Sequence, residues 1–468
     1  MDTDSLSITA PFLRPGNPHD VMGFTDAGIM ERRMMRHHVA EILEIAAARP
    51  HARMVLDLSR FYLMRVSLLV SMYLSSRIIC VGDNVSDPCL RQYLNDDDLL
   101  ITDRFRGFSG NDNSIDISTT LTFSSAPEKD EQILSSRKIG DTSGICFALF
   151  GGDTGVSVQE YPVSLNVMEQ QCRDQLWEIP EIAEAGMAVS VFPPTHGFGF
   201  SHSLLMSMML DLPMFDRPLR QDSQVSLLGL PEYALFTSPE FLNSLNIGDV
   251  FPNCKLVLVN GFFEKMMNYI AANSIMDCPI IESLGTLTHG VIALRRLSHG
   301  KSFRFVNNVV FRQDEDGVLI CNSYFDREHC SHYTEYVVNV TGREFVICGR
   351  RKRLVTAKGK PWNLDDMENT LERAGFGSRV AVFEYVPWKE KERYVVIAVE
   401  SEELCALSAS SDIENRGLAA DYVNEIRNEL SSGGFPSELL PRKVRFVRKI
   451  SYNEFGRPDY ERLKKLFD

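Results

Sequence analysis

Five short stretches of the chain carry residue types that could hold a phosphate-bearing ligand or stabilise moving charge. The first is Leu149-Phe150-Gly151-Gly152-Asp153-Thr154-Gly155-Val156-Ser157, an apolar strand running into a glycine-rich turn. Glycines let the backbone turn tightly and aim several N–H groups at one anion, and Thr154 adds a hydroxyl donor. No Gly-Lys-Ser/Thr follows, so this is not a Walker loop. The second, Phe192-Pro193-Pro194-Thr195-His196-Gly197-Phe198-Gly199-Phe200, has two prolines that stiffen the exit of a strand and glycines that open space beside His196. A histidine there could face a pocket. The third, Leu284-Gly285-Thr286-Leu287-Thr288-His289-Gly290, offers two hydroxyls to a phosphate or metal edge. The fourth runs from Gly349 through Arg350, Arg351, Lys352 and Arg353 to Glu368, a basic cluster before an acidic helix start that Asn363 or Asp365 could cap. The fifth is the loop Tyr452 to Tyr460, with Gly456-Arg457 at its centre. Singly, such features are more often plain turns, structural histidines or solvated linkers. Their order along the chain carries the inference.

These stretches sit among alternating helical and extended patterns. Glu31 to Ala48 and Tyr62 to Ser75 read as helices, and Met54–Leu58, Ile78–Val81 and Leu99–Thr102 as short strands. Residues 106–140 are polar and read as a surface excursion. Gly144–Phe150 is an apolar strand, and Val163–Trp177 reads as a helix. Further strands are expected at Ala188–Phe192, Lys255–Val259, Val291–Leu294 and Glu344–Cys348, with an apolar helix at Leu204–Leu210. Alternation of this kind predicts layered α/β structure. Beyond the basic run the pattern changes to helix 364–374, strands 380–385 and 394–398, helix 421–431 and strand 443–447, a small α+β unit. The expected fold is therefore a large N-terminal layered α/β domain, 1–349, and a small hinged α+β C-terminal lid, 350–468.

Composition narrows the partners. At 468 residues the chain is long enough for two or three folding units. With 49 basic and 63 acidic residues its net charge is −14, so no positive field attracts nucleic acid or an anionic membrane. The N-terminus lacks the basic start and apolar run of a secretory signal, and Phe61 to Val81 is interrupted by Arg65 and Arg77. The ten cysteines include no CxxC pair, which suits reduced, buried thiols. A cytoplasmic protein without nucleic-acid or membrane partners is expected.

In their order and spacing, these landmarks resemble the adenylate-forming (AMP-binding) superfamily of acyl-CoA synthetases, luciferases and peptide-synthetase adenylation domains. The resemblance spans the helix at 62–75 to Arg457. It implies that ATP is bound, with Mg²⁺, and that a small-molecule carboxylic acid is activated as an acyl-adenylate for an amine or thiol acceptor. The phosphate loop falls on Gly151, Gly152, Asp153, Thr154 and Gly155, with Val158 where the family has lysine. Pro193 and His196 match a stretch lining the acyl pocket. Gly261 and Phe262 fall on the adenine wall, and Gly285 and Thr286 on the family's Tyr-Gly-x-Thr-Glu, which puts Thr288 where a glutamate would hold Mg²⁺. Glu335 takes the place of the ribose-binding aspartate. The ungapped match Gly349 to Gly359 makes Arg350 a ribose or phosphate contact and Lys352 the hinge. Arg457 stands where the family has its catalytic lysine; arginine keeps the charge but not the shape. The overall look of the chain, including Ile8 to Gly16, is similar to coronafacate ligases, which join a polyketide-derived acid to an amino acid through an amide in secondary-metabolite (coronatine) biosynthesis. An acyl-CoA or acyl-carrier-protein synthetase, and a nucleotide-binding homologue without catalysis, are the alternatives.

Overall fold

The computed structural model describes residues 6–13, 16–25, 28–49, 52–82, 85–104, 114–117, 127–140, 144–151, 157–220, 230–245, 251–262, 272–286, 289–322, 332–357, 360–376, 379–386, 393–409, 413–451 and 458–467. The chain divides into two compact units, Met1–Val310 with Asn322–His332, and Phe311–Cys321 with Tyr333–Asp468.

The first unit is built on two sheets. One runs in the order Ser114–Asp116, Leu99–Thr102, Met54–Asp57, Ile78–Val81, Ile145–Gly151, Ser157–Val163. Its first five strands are parallel and the last is antiparallel. Met54–Asp57, Ile78–Val81 and Leu99–Thr102 are buried at every position, which is why they read as continuous apolar runs rather than alternating ones. In the other sheet Val21–Thr25, Met214–Phe215, Met187–Ser190, Tyr233–Thr237, Cys254–Asn260 and Ile280–Thr286 lie side by side and parallel. Gly28–Glu31 at one end, and Gly290–Arg296 and Phe303–Phe305 at the other, add antiparallel strands.

The helix Phe61–Leu74 packs against Met54–Asp57 of one sheet and Met214–Phe215 of the other. Every residue from Phe61 to Tyr73 is buried, as a helix between two layers requires. Its Arg65 is charged even there. Burial lowers the guanidinium pKa to about 10, still far above neutrality, and Asp211 lies 3.5 Å away.

Three local expectations change. Ser157–Val163 is an edge strand paired residue for residue with Ile145–Gly151, so the next helix begins only at Leu165. An edge position tolerates Pro162, which has no N–H to donate. The stretch Leu284 to Gly290 is not all turn: Ile280–Thr286 and Gly290–Arg296 form a hairpin. The polar segment 106–140 contains the strand Ser114–Asp116 and the helix Pro127–Ser135, whose Asp130 is buried 3.0 Å from His37 Nδ1.

The second unit begins with strands Phe311–Gln313, Val318–Cys321, His332–Thr341 and Glu344–Arg350, neighbours in that order. A hairpin, Leu354–Ala357 with Lys360–Asn363, leads into the helix Leu364–Arg373. A three-stranded sheet, Arg379–Tyr385, Tyr394–Glu400 and Lys443–Val447, shares a core with the helices Leu364–Arg373 and Ile413–Ser432. Arg353 is buried at the centre, 2.7 Å from Asp365 and 2.5 Å from Glu368, with its guanidinium 4.4 Å from the Tyr460 ring centre. Of the two candidate caps, Asn363 does the work: its side chain accepts from the Asp365 N–H at 2.9 Å. Its amide nitrogen also donates to the Cys348 carbonyl at 2.9 Å.

That second bond accounts for Gly349. A Cβ there would lie 1.2 Å from the Asn363 amide nitrogen, so only glycine leaves room for the cap. Gly349→Ala is expected to lose about 1–3 kcal/mol of stability in urea unfolding. In an Asn363→Ala background the same change should cost at least about 1 kcal/mol less. Equal costs in both backgrounds would show that the contact is not what selects glycine.

Candidate functional site

Within the first unit, a cavity of about 650 Å³ opens among three of the five sequence stretches. Phe147 and Leu149, on the strand Ile145–Gly151, form one side. The turn from Pro193 to His202 forms another. Asn260, at the end of Cys254–Asn260, and Gly285, Thr286 and Gly290, from the adjoining hairpin, complete the polar end.

The turn is wound tightly on itself. Its backbone closes through His196 N–H to the Pro193 carbonyl at 3.0 Å and Phe200 N–H to the His196 carbonyl at 2.7 Å. A Cβ on Gly199 would stand 2.3 Å from the Pro193 carbonyl oxygen, so the closure needs glycine. From Gly199 to Leu205 the chain is a π-helix, running straight into Met206–Leu210. The expected helix thus starts five residues earlier than Leu204, in a winding often found at functional sites.

His196 is exposed and lines the cavity. Its ring stacks on Phe192 at 4.6 Å, and its Nδ1 accepts from the Phe198 N–H at 3.2 Å. In the neutral ring the proton is therefore on Nε2. His202 is the opposite case. It is fully buried, stacked 4.0 Å from Phe198, with Nε2 2.6 Å from Gln175 Oε1 and Nδ1 2.7 Å from Ser201 Oγ. Burial lowers its pKa to about 3, so it is neutral under ordinary conditions.

At the polar end, a Cβ on Gly285 would lie 2.4 Å from the Gly290 carbonyl oxygen, which fixes the close approach of the two hairpin strands. Thr286 Oγ1 is 2.6 Å from His289 Nδ1. Burial, with His332 facing it, lowers the His289 pKa to about 4. Gly261 has φ +105° and donates its N–H to the Ser283 carbonyl at 2.8 Å. Phe262 packs edge-on against Phe303, and Arg295 lies 4.3 Å from the Phe303 ring centre while pairing with the buried Glu282. Gly261 and Phe262 flank Asn260 but do not themselves line the cavity.

Other expected residues fall elsewhere. Gly152, Asp153, Thr154, Gly155, Thr288 and Arg457 lie outside the described residues. Gly151 ends its strand opposite Ser157. Val158, at the family's lysine position, packs against the apolar cluster around Val55, Ile79 and Val81. In the second unit, Glu335 is half-buried on His332–Thr341, next to Tyr336, which pairs with the buried Arg350 across the strands. Lys352 is exposed. Phe198 lines the cavity, whereas Met206, Met208, Met209 and Phe200 are core. Phe263 lies outside the described residues. Sequence reasoning missed Asn260, Thr195, His202 and Gln171; the signal for the last was an amide on an otherwise apolar helical stripe. Among the described residues no three His, Cys, Asp or Glu side chains gather to hold a metal ion, and no helix is long and apolar enough to cross a membrane.

No family model and no curated protein matches the sequence. Solved structures do match in shape. An ATP-bound structure of MatB from Rhodopseudomonas palustris has a TM-score of 0.72 at 12% identity, covering 100% of this chain and 99% of that one. An anthranilate CoA ligase in complex with anthranoyl-AMP has a TM-score of 0.70 at 13% identity, again covering 100% and 99%. The amide bond synthetase McbA from Marinactinospora thermotolerans has a TM-score of 0.65 at 12% identity, over 96% of this chain and 97% of that one. The chain shares its fold with these structures. At such low identity the likeness carries the fold alone and nothing about individual side chains.

The buried histidine gives a pH test. Its folded pKa lies below the ordinary 6.5, so between pH 6.5 and 3 the unfolded chain binds a proton that the folded chain refuses. Stability is complete above pH 6.5 and falls as the pH drops. Between pH 6.5 and 4.5 the wild type is expected to lose about 2 kcal/mol more than His202→Gln in urea unfolding. Parallel pH profiles for the two proteins would exclude a neutral, buried His202.

Proposed function

We propose that the chain is an ATP-dependent ligase that activates a small carboxylic acid as an acyl-adenylate, releasing pyrophosphate, and passes the acyl group to an acceptor. The observation that carries this reading is the cavity. It gathers Phe147 and Leu149, the His196 turn, Asn260 and the Gly285–Thr286 hairpin, stretches far apart in sequence that the resemblance assigns to one nucleotide-and-acid site.

In this reading the acid's carboxylate oxygen attacks the α-phosphorus and pyrophosphate leaves. Charge grows on phosphate oxygens, so positioning and positive charge matter more than covalent chemistry. Backbone N–H groups of Gly151, Gly152, Asp153, Thr154 and Gly155 cradle phosphates. Arg457 neutralises charge at the α-phosphate and the acyl carboxylate. The Nε2–H of His196 can donate to the reacting carboxyl group. Gly261 and Phe262 support the adenine wall, Gly285 and Thr286 its polar edge. Glu335 accepts from ribose hydroxyls and Arg350 contacts ribose or phosphate. Mg²⁺ would arrive with the nucleotide phosphates. The Thr288 hydroxyl is a weak ligand for a hard cation, and no step is assigned to the metal. The functional division is 1–349 and 350–468, with Lys352 as the hinge about which the lid turns between half-reactions.

The acceptor we favour is an amino-acid amine, giving an amide as in the coronafacate ligases of coronatine biosynthesis that the chain, including Ile8 to Gly16, resembles. A thiol acceptor, CoA or a carrier protein, is the second reading, supported by the CoA ligase among the similar folds. The reaction belongs in the cytoplasm, where ATP is plentiful and the free cysteines stay reduced.

Incubation with ATP and a panel of carboxylic acids should give acid-dependent pyrophosphate release. Arg457→Ala should slow it by about 10²-fold or more. Adding amino acids or CoA then separates the acceptors by product mass. ATP binding with no pyrophosphate release for any acid would leave a nucleotide-binding homologue instead.

A further inference from the structure

The helix Leu165–Glu178 turns Met168, Gln171, Cys172, Gln175 and Leu176 into the interior. The spacing is that of a core-facing stripe, yet two of these positions are amides. Gln175 is accounted for: its Oε1 meets His202 Nε2 at 2.6 Å and its Nε2 donates to the Gln171 carbonyl at 3.4 Å. The side chain of Gln171 is not. The residue is 3% exposed and lines the cavity, and its Nε2 has no hydrogen-bond partner among the described residues. Polar atoms of the facing turn have partners within the protein. Ser201 Oγ has one proton to share between the Gly197 carbonyl at 2.9 Å and His202 Nδ1 at 2.7 Å, and Cys172 Sγ donates to the Ser201 carbonyl. Met168 and Phe198 make the rest of this wall apolar.

A buried N–H donor without a partner is costly unless something that enters the cavity accepts from it. We propose that Gln171 is a specificity-determining residue that selects acids carrying a second acceptor oxygen, a carbonyl or ether, on their hydrocarbon portion. This rests on the acid-activating reading of the same cavity and names its substrate class. The acid's carboxylate lies toward the His196 and Thr286 side, and the second oxygen meets the Gln171 amide. An unadorned hydrocarbon acid leaves that amide unpaired, and so binds more weakly despite the apolar wall.

The test compares matched acids on the full chain: 4-oxocyclohexanecarboxylate against cyclohexanecarboxylate, and 4-acetylbenzoate against 4-isopropylbenzoate. Binding is titrated calorimetrically to the wild type, Gln171→Leu and Gln171→Met, with circular dichroism confirming that each is folded. The two variants guard against one of them failing to fold. The wild type should bind the oxygen-bearing member of each pair roughly tenfold more tightly. In the variants the preference should vanish or reverse, through weaker binding of the oxygen-bearing acid and tighter binding of the hydrocarbon one. A wild type that favours the hydrocarbon acids, a preference that survives both substitutions, or no binding by any of the four acids would overturn the proposal. Pyrophosphate release measured on the same acids separates the two claims. Its absence together with an intact binding preference removes acid activation and leaves the Gln171 subsite standing.

Discussion

The site depends on a close approach of backbone to backbone. Gly199 lies so near the Pro193 carbonyl that no side chain fits, and this closure swings the chain from a strand end directly into a π-helix. One compact turn thereby presents an exposed histidine, His196, and a buried one, His202, to the same cavity. Across the cavity, Gly285 allows a similar approach between hairpin strands. Glycine at these two positions sets the width of the wall, and the side chains follow from it.

Packing then ties the turn to both sheets. Phe200 sits edge-on to Phe147 of the first sheet, 5.6 Å between ring centres, while Pro193 and Thr195 continue from Met187–Ser190 of the second. The helix Phe61–Leu74 fills the space between the layers with apolar side chains on every face. Rigid layers on both sides hold a buried polar network of Gln175, His202 and Ser201. They also hold the unpaired amide of Gln171 in place, where a looser wall would let it rotate out to a partner.

The second unit organises itself around charge. Arg353 is buried with two carboxylates and a tyrosine ring around it, and the Asn363 cap joins the end of Glu344–Arg350 to the helix that supplies those carboxylates. The basic run that the sequence resemblance makes the hinge is thus divided. Arg350 and Arg353 are interior, whereas Arg351 and Lys352 face solvent.

What the sequence alone determined was local. Apolar runs identified Met54–Asp57, Ile78–Val81, Leu99–Thr102 and, in the C-terminal unit, Arg379–Tyr385 and Tyr394–Glu400, because a strand buried on both faces must be largely apolar. Capping chemistry narrowed the start of Leu364–Arg373 to two residues, and glycine spacing marked the turns that border the cavity. Other features were decided only by tertiary contact. Ser157–Val163 is a strand that pairs along the edge offered by Ile145–Gly151. His202 is neutral because a distant helix and turn close over it, and Gln171 Nε2 is buried without a partner among the described residues. Backbone preference is set by near neighbours in sequence, so it can be read from the chain; burial and hydrogen-bond partnership are set by neighbours in space, so they appear only once the chain is folded.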